Sequence, residues 1–384
     1  MKYLILLAVV ATQFAHSGCE IVILNRANKP MPFIAYQTPV RYKLEKNAMA
    51  QQNNLLAISN ANSREILILE ITHTPEEGIQ IKNRSHLKIP EGISTSSPVI
   101  QFNIDLNQLV YASGAVHHIS VVKYNLTTGG IISTKNVETG PDQMTTARAI
   151  SPDLNTLIVV QPNTSSDLST AALFPKPTVV YLNDAAINQQ LPIPTLAPML
   201  FDYMIFSPDS QYLTGIQSGA GLRSPHHKLI TWDLTRLLEI TALFSSPDVI
   251  RTPNYSPDGK FLMVGDLYRQ QIRFWDTQNF FKEKGGRGEY KGKNNDGGFM
   301  HPVLSPERDL LVFEAGQNSF GGEANTTVYI YKMDPEKMRT VGKPIRFTMP
   351  ELMNSMTFTS DGRFLVLLND KGVLIVIDRE GLGT

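Results

Sequence analysis

What is scarce in this 384-residue chain bounds it first. Cysteine occurs once, at Cys19, so no intramolecular disulfide can staple the fold; apolar packing and strand pairing must hold it. Lysine plus arginine and aspartate plus glutamate number 35 each, leaving zero formal net charge and a pI near 7.1. With no global field, nothing draws the chain toward nucleic acid or an anionic membrane surface. Motifs of the common chemistries are also missing. CxxC, CxxCH, HExxH, GxSxG and a phosphate-binding loop are all absent, which leaves zinc-hydrolase, serine-hydrolase and NTPase readings without motif support. No catalytic residue, cofactor or metal site is assigned. Beyond the N-terminus, no apolar stretch approaches membrane length.

The N-terminus has a short positive region and an apolar core. Lys2 precedes Leu4–Ala11, and the small residues Ala15, Ser17 and Gly18 follow. This pattern predicts a secretory signal peptide over residues 1–18 and an exported mature chain over 19–384. Gln13 and His16 interrupt the stretch too soon for a spanning helix. Ser17-Gly18-Cys19 resembles a bacterial lipoprotein processing site, which implies an acylated Cys19 and an outer-membrane anchor. His16 departs from that pattern, which prefers leucine there. Cleavage after Ser17 instead gives a soluble periplasmic or secreted product. A lipid on Cys19 is the only membrane attachment that either route provides.

What the chain has in abundance is a repeat. SPDGKFLMVGDLYRQQIRFWD, near the middle, recurs in degraded copies whose turn positions are Gln52, Asp105, Asp153, Asp209, Asp258, Glu307 and Asp361. They lie 48 to 56 residues apart, a period at which one supersecondary unit must stack on its neighbours to bury its apolar face. Within one unit, Asp258-Gly259 signals a hairpin, with glycine supplying positive φ. The runs Phe261–Val264 and Ile272–Trp275 are too short for helices and are bounded by turn residues. Strand-like stretches between units, such as Ile131–Thr134 and Ile345–Thr348, bring the count to four strands per unit. The last unit supplies only three, around Ser355–Phe358, Phe364–Leu368 and Val373–Ile377. Glu20–Leu24, or Pro32–Tyr36 after it, is expected to supply its outermost strand and so remove an exposed edge.

The Ser-Pro-Asp turns (Ser207-Pro208-Asp209, Ser256-Pro257-Asp258) and Trp-Asp strand ends (Trp232-Asp233, Trp275-Asp276) resemble the WD-repeat-like superfamily. The Gly-His dipeptide of strict WD repeats is missing and five of the seven units lack Trp-Asp, which is closer to divergent YVTN-type propellers. The resemblance implies an all-β, seven-bladed β-propeller of four-stranded antiparallel blades, closed by the N-terminal strand, in a single domain.

Propeller geometry places a ligand at the channel mouth, where the innermost strands begin. Counting seven residues back from each turn gives Glu45, Pro98, Thr146, Asp202, Arg251, Met300 and Asn354, with His301 beside Met300. Glu45, Asp202, Arg251, His301 and Asn354 form a mixed acid, base and amide set suited to a polar ligand. The pairs His117-His118 and His226-His227 fall between a unit's second and third strands, where solvated polar loops are expected; on strands they could not converge on one ion, since neighbours there point to opposite faces. Lys282–Lys293 reads either as a basic loop meeting an acidic partner or as an outer strand, Glu289–Lys291, between glycine-rich turns. Two functions follow. One is a monomeric scaffold that binds a protein or polymer at the cell envelope. The other is a propeller lactonase or hydrolase with its polar site at the channel mouth.

Overall fold

The apolar runs become strands because they are brief, rich in β-branched and aromatic residues, and closed off by turns. The computed structural model describes residues 20–24, 49–60, 63–74, 78–95, 98–114, 118–138, 146–160, 177–182, 188–190, 199–219, 227–236, 238–246, 250–266, 271–279, 281–289, 298–317, 325–349, 353–369 and 373–382. Among these residues the strands form seven four-stranded sheets. The first holds β2 (Met49–Gln52), β3 (Leu55–Asn60), β4 (Glu65–Thr74) and β5 (Gly78–Lys88); the second holds β6 (Val99–Asn103), β7 (Gln108–Gly114), β8 (His118–Asn125) and β9 (Ile131–Glu138). The third holds β10 (Thr146–Ile150), β11 (Thr156–Val160), β12 (Pro177–Tyr181) and β13 (Asn188–Gln190); the fourth holds β14 (Met199–Phe206), β15 (Tyr212–Gly219), β16 (His227–Asp233) and β17 (Leu238–Ser246). The fifth holds β18 (Ile250–Tyr255), β19 (Phe261–Asp266), β20 (Gln271–Asp276) and β21 (Lys282–Glu289); the sixth holds β22 (Gly298–Leu304), β23 (Leu310–Gln317), β24 (Asn325–Asp334) and β25 (Arg339–Met349). The seventh joins β26 (Met353–Phe358), β27 (Phe364–Asn369) and β28 (Val373–Asp378) to β1 (Glu20–Leu24).

Each sheet is buried on both faces, and this explains why its strands read as unbroken apolar runs instead of alternating ones. In the seventh sheet, Phe364, Val366, Leu368, Leu374 and Val376 pack against Leu56, Ile58, Leu67 and Leu69 of the first. The intervening Leu365, Leu367, Ile375 and Ile377 pack against Val312, Val328 and Ile330 of the sixth. The same alternation makes a seam between every consecutive pair of sheets. The two tryptophans fill such seams, with Trp232 against Phe201 of the third-to-fourth seam and Trp275 in the fourth-to-fifth.

The repeated turn has its own chemistry. In the fifth sheet the Ser256 hydroxyl donates to Asp258 Oδ1 (2.6 Å) and accepts from the Phe261 amide (2.9 Å), while Asp258 Oδ1 also accepts from the Lys260 amide (3.1 Å). Ser151, Ser207 and Thr359 repeat this pattern with Asp153, Asp209 and Asp361. In the sixth sheet Glu307 occupies the turn, and Asp309 replaces it as acceptor from Ser305 (2.8 Å). These aspartates therefore brace hairpins, as their turn position suggests. Asp233 and Asp276 cap the turns after the third strands. Burial acts to raise the Asp233 pKa, but hydrogen bonds from the Thr235 hydroxyl and amide and the Arg236 amide outweigh it, so the net shift is downward.

Three expectations change in detail. The strand β1 lies beside β28, with Glu20 opposite Val373 and Leu24 opposite Ile377, but runs parallel to it, so this sheet is mixed and not wholly antiparallel. Residues 25–48 separate β1 from the next described strand, and that length of chain permits either direction. The basic segment forms an outer strand that begins at Lys282, ahead of the expected Glu289, because Lys282–Lys284 pair with Phe274–Asp276. His118 and His227 begin third strands opposite Glu138 and Ser246; His117 and His226 lie outside the described residues. Outside them too are residues 1–19, with Cys19, and Pro32–Tyr36.

Deleting residues 20–36 removes β1 and bares the apolar edge Val373–Ile377; the expected result is aggregation or a clear fall in melting temperature, and a soluble deletion variant with an unchanged melting temperature would refute it. Gly259 has φ +70°, and a Cβ there would make only ordinary van der Waals contact, 3.6 Å from Pro208. Gly259→Val is therefore a backbone test, expected to cost about 1–3 kcal/mol in chemical denaturation.

Candidate functional site

The first strands of the sheets, β2, β6, β10, β14, β18, β22 and β26, stand side by side, and Thr357 Oγ1 lies 3.4 Å from Gln51 Oε1 where the last meets the first. Together they line a cavity of about 520 Å³. Its polar wall includes Gln51, Gln101, Asn254 and Thr357, and Pro152, Pro208, Pro257 and Pro306 of the repeated turns surround one end. Arg148 is the one charged side chain among the described lining residues. Tyr255 lines it as well; its hydroxyl is 2.7 Å from Thr214 Oγ1, and burial pushes its pKa up.

At the other end, where these strands begin, the ladders break. Five of the seven carry a register shift, at Arg148, at Asp202, at Thr252-Pro253, at His301-Pro302 and at Asn354. A bulge of this kind turns a side chain out of the pleat and is common beside functional sites. Of the five rim residues expected from sequence, Asp202, His301 and Asn354 sit within these shifts, and Arg251 borders one. Glu45 lies outside the described residues, and among the five only the His301 side chain is described. His301 is not among the residues lining the 520 Å³ cavity.

His301 joins a cluster that spans three sheets. Its amide donates to Thr252 Oγ1 of the fifth sheet (2.7 Å), and its Nδ1 lies 2.5 Å from Glu314 Oε1 on β23. Glu314 Oε2 accepts the Met353 amide of the seventh sheet (3.0 Å). The Glu314 side chain is 0% exposed and that of His301 is 23% exposed. Thr252 and His301 hold φ of 46° and 50°, uncommon for residues with a Cβ and costly unless the surroundings enforce them. With Nδ1 engaged by the carboxylate, Nε2 is the ring nitrogen left for an incoming group. Thr252 and Glu314 are not among the site residues that the sequence pattern picks out. The signal for Glu314 was a carboxylate directly after the apolar run Leu310–Phe313, in the middle of a strand. Among the described residues no three His, Cys, Asp or Glu side chains converge as a metal site.

Sheets stacked around a lined central cavity define a β-propeller, and solved structures share this fold. It is similar to Kuenenia stuttgartiensis hydrazine synthase, with a TM-score of 0.56 and 17% identity over 90% of this chain and 99% of that one. It is also similar to the β-propeller domain of Myceliophteria thermophila Cps50 (Swd1), with a TM-score of 0.55 and 11% identity over 86% and 96%. A chain of a mitotic checkpoint complex gives 0.54 and 11% over 93% and 98%. No protein-family model matches the sequence, and no curated protein matches it.

Glu314→Ala leaves the Met353 amide and His301 Nδ1 without their acceptor, so a loss of about 1–3 kcal/mol is expected in urea unfolding. An unchanged midpoint would show that the cluster does not tie the three sheets together.

Proposed function

We propose that this chain is an exported binding scaffold: one seven-bladed propeller domain of the YVTN-like kind, its last blade completed by the N-terminal strand, working as a monomer at the cell envelope. Its partner is a protein or an envelope polymer. The observation that supports this reading best is where apolar surface remains. Of the five large hydrophobic residues exposed among those described, Leu106 (50%) lies in the turn between β6 and β7, while Ile131 (50%) and Ile132 (48%) lie on β9 and Val341 (49%) and Ile345 (36%) lie on β25. Both are outermost strands, whose edges are available to a partner. The likeness to a Swd1 propeller domain and to a chain of a mitotic checkpoint complex accords with a role in protein assembly.

The test has two parts. Cross-linking in intact cells, followed by capture and mass spectrometry, is expected to recover a partner with the parent and to lose it with Ile131→Glu/Ile132→Glu. Equal recovery by both, or none by either, would remove the scaffold reading. The intact mass of the product is expected to begin at Gly18 or at an acylated Cys19, and an unprocessed Met1 would refute export. In the lipidated case, Cys19→Ser releases the protein from membranes, since anchoring rests on acyl chains worth about 0.8 kcal/mol per methylene.

The His301–Glu314 pair favours a second reading, a lactonase- or hydrolase-type enzyme in which a carboxylate-braced imidazole serves as base. That reading expects turnover of a lactone panel by the parent and its loss in His301→Gln with the fold retained; absence of turnover by the parent counts against it.

A further inference from the structure

The central cavity has a lopsided hydrogen-bonding character that the scaffold reading does not use. Its one charged group among the described lining residues, Arg148, is the extra residue of a bulge: Ala147 pairs with Val159 and Ala149 with Ile158, so Arg148 has no place in the ladder. It is half-buried and keeps interactions with its surroundings, which a ligand would share. Two amides of the wall each direct one N–H to a backbone carbonyl. Asn254 Nδ2 donates to the Pro302 carbonyl (3.1 Å) and Gln101 Nε2 to the Phe102 carbonyl (3.3 Å). Thr357 Oγ1 has one hydrogen and two acceptors within reach, the Phe358 carbonyl (3.2 Å) and Gln51 Oε1 (3.4 Å). The amide oxygens of Asn254 and Gln101 receive no donor from the described residues. The wall therefore offers two open amide oxygens as acceptors, and Arg148 is its charged donor.

We propose that this cavity binds a small polyhydroxylated monocarboxylate, a sugar acid, with its carboxylate on Arg148 and its hydroxyls donating to the Asn254 and Gln101 oxygens. A guanidinium matches a carboxylate with two parallel hydrogen bonds, and one cation balances one negative charge. A phosphate monoester carries up to a second negative charge, which here would face acceptor oxygens. The volume of about 520 Å³ lies within the range of small-molecule sites. The proposal stands independently of the envelope partner, because it concerns the inner strands and not the outer ones.

Isothermal titration of the full chain with glucuronate, galacturonate and gluconate tests it, with glucose, the methyl ester of glucuronate and glucose 6-phosphate as comparisons. At least one of the three acids is expected to bind, and the uncharged sugar and ester at least about tenfold more weakly, the scale of one charge-assisted contact. Arg148→Gln is expected to lose at least about the same factor, and Arg148→Lys to fall between it and the parent. No binding by any of the three acids, equal binding of glucose, tighter binding of glucose 6-phosphate, or unchanged affinity in Arg148→Gln would each overturn the proposal. If Arg148→Gln fails to fold, the acid-against-ester comparison in the parent decides the charge requirement. Asn254→Ala then tests the acceptor wall, and unchanged affinity in that variant also counts against the site.

Discussion

Face-to-face burial of each sheet on two neighbours is the constraint on which the rest of the molecule depends. Alternate residues of one strand enter opposite seams, so Val366 and Leu367, adjacent in sequence, stabilise contacts with different sheets. No sheet could bury its apolar faces alone, and no disulfide is available to compensate, since Cys19 has no second cysteine to meet. Stability must therefore be shared around the whole stack. The first and seventh sheets belong to this arrangement as fully as any other pair, because Leu56 and Ile58 meet Phe364 and Val366 in a seam like the rest.

The two ends of the inner strands follow opposite rules. At the turn end the same chemistry recurs, and it also ties neighbours together. Ser210 Oγ accepts the Asp153 amide (3.2 Å), Gln52 Oε1 accepts the Ile104 amide (2.7 Å), and Asn53 accepts from Ser360 (3.3 Å). Arg308 reaches Asp258 across one junction (3.6 Å), and Arg379 reaches Glu307 (2.8 Å) and Asp309 across another. At the opposite end the repeats diverge, the ladders shift register, and Thr252 and His301 take left-handed conformations. Regular packing at one end gives the stiffness that lets irregular backbone persist at the other.

That asymmetry gives the molecule two chemically different places. The bulged rim has a buried carboxylate that joins sheets and orients an imidazole. The cavity is lined by one guanidinium and by amide side chains. Neither is a repeat feature: Glu314 and Arg148 each occur in one sheet, at positions where the other sheets carry different residues. Specific chemistry built on a repeated frame comes from such single departures, because the repeat itself is fully occupied by packing and turn bonding.

The sequence by itself determined the sheets, the turns and the number of strands in each unit, because those depend on local chemistry. Apolar runs of four or five residues, Ser-Pro-Asp turns and terminal aspartates act within a few positions of themselves, and Asp153, Asp209, Asp258 and Asp361 bond as their places imply, while in the turn at Asp105 the acceptor is Asn103. It also located the irregular rim, since counting back from a turn finds where a strand begins, and His301 was reached that way. Only the tertiary structure decided what those residues meet. Glu314 lies 13 positions from His301 and 39 from Met353, and nothing local links them. The role of Arg148 depends on a register shift, which changes which way a side chain points without leaving any mark in composition. The direction of β1 was likewise open in the sequence, because residues 25–48 are long enough for either sense of pairing, and the choice belongs to the edge of β28 that it meets.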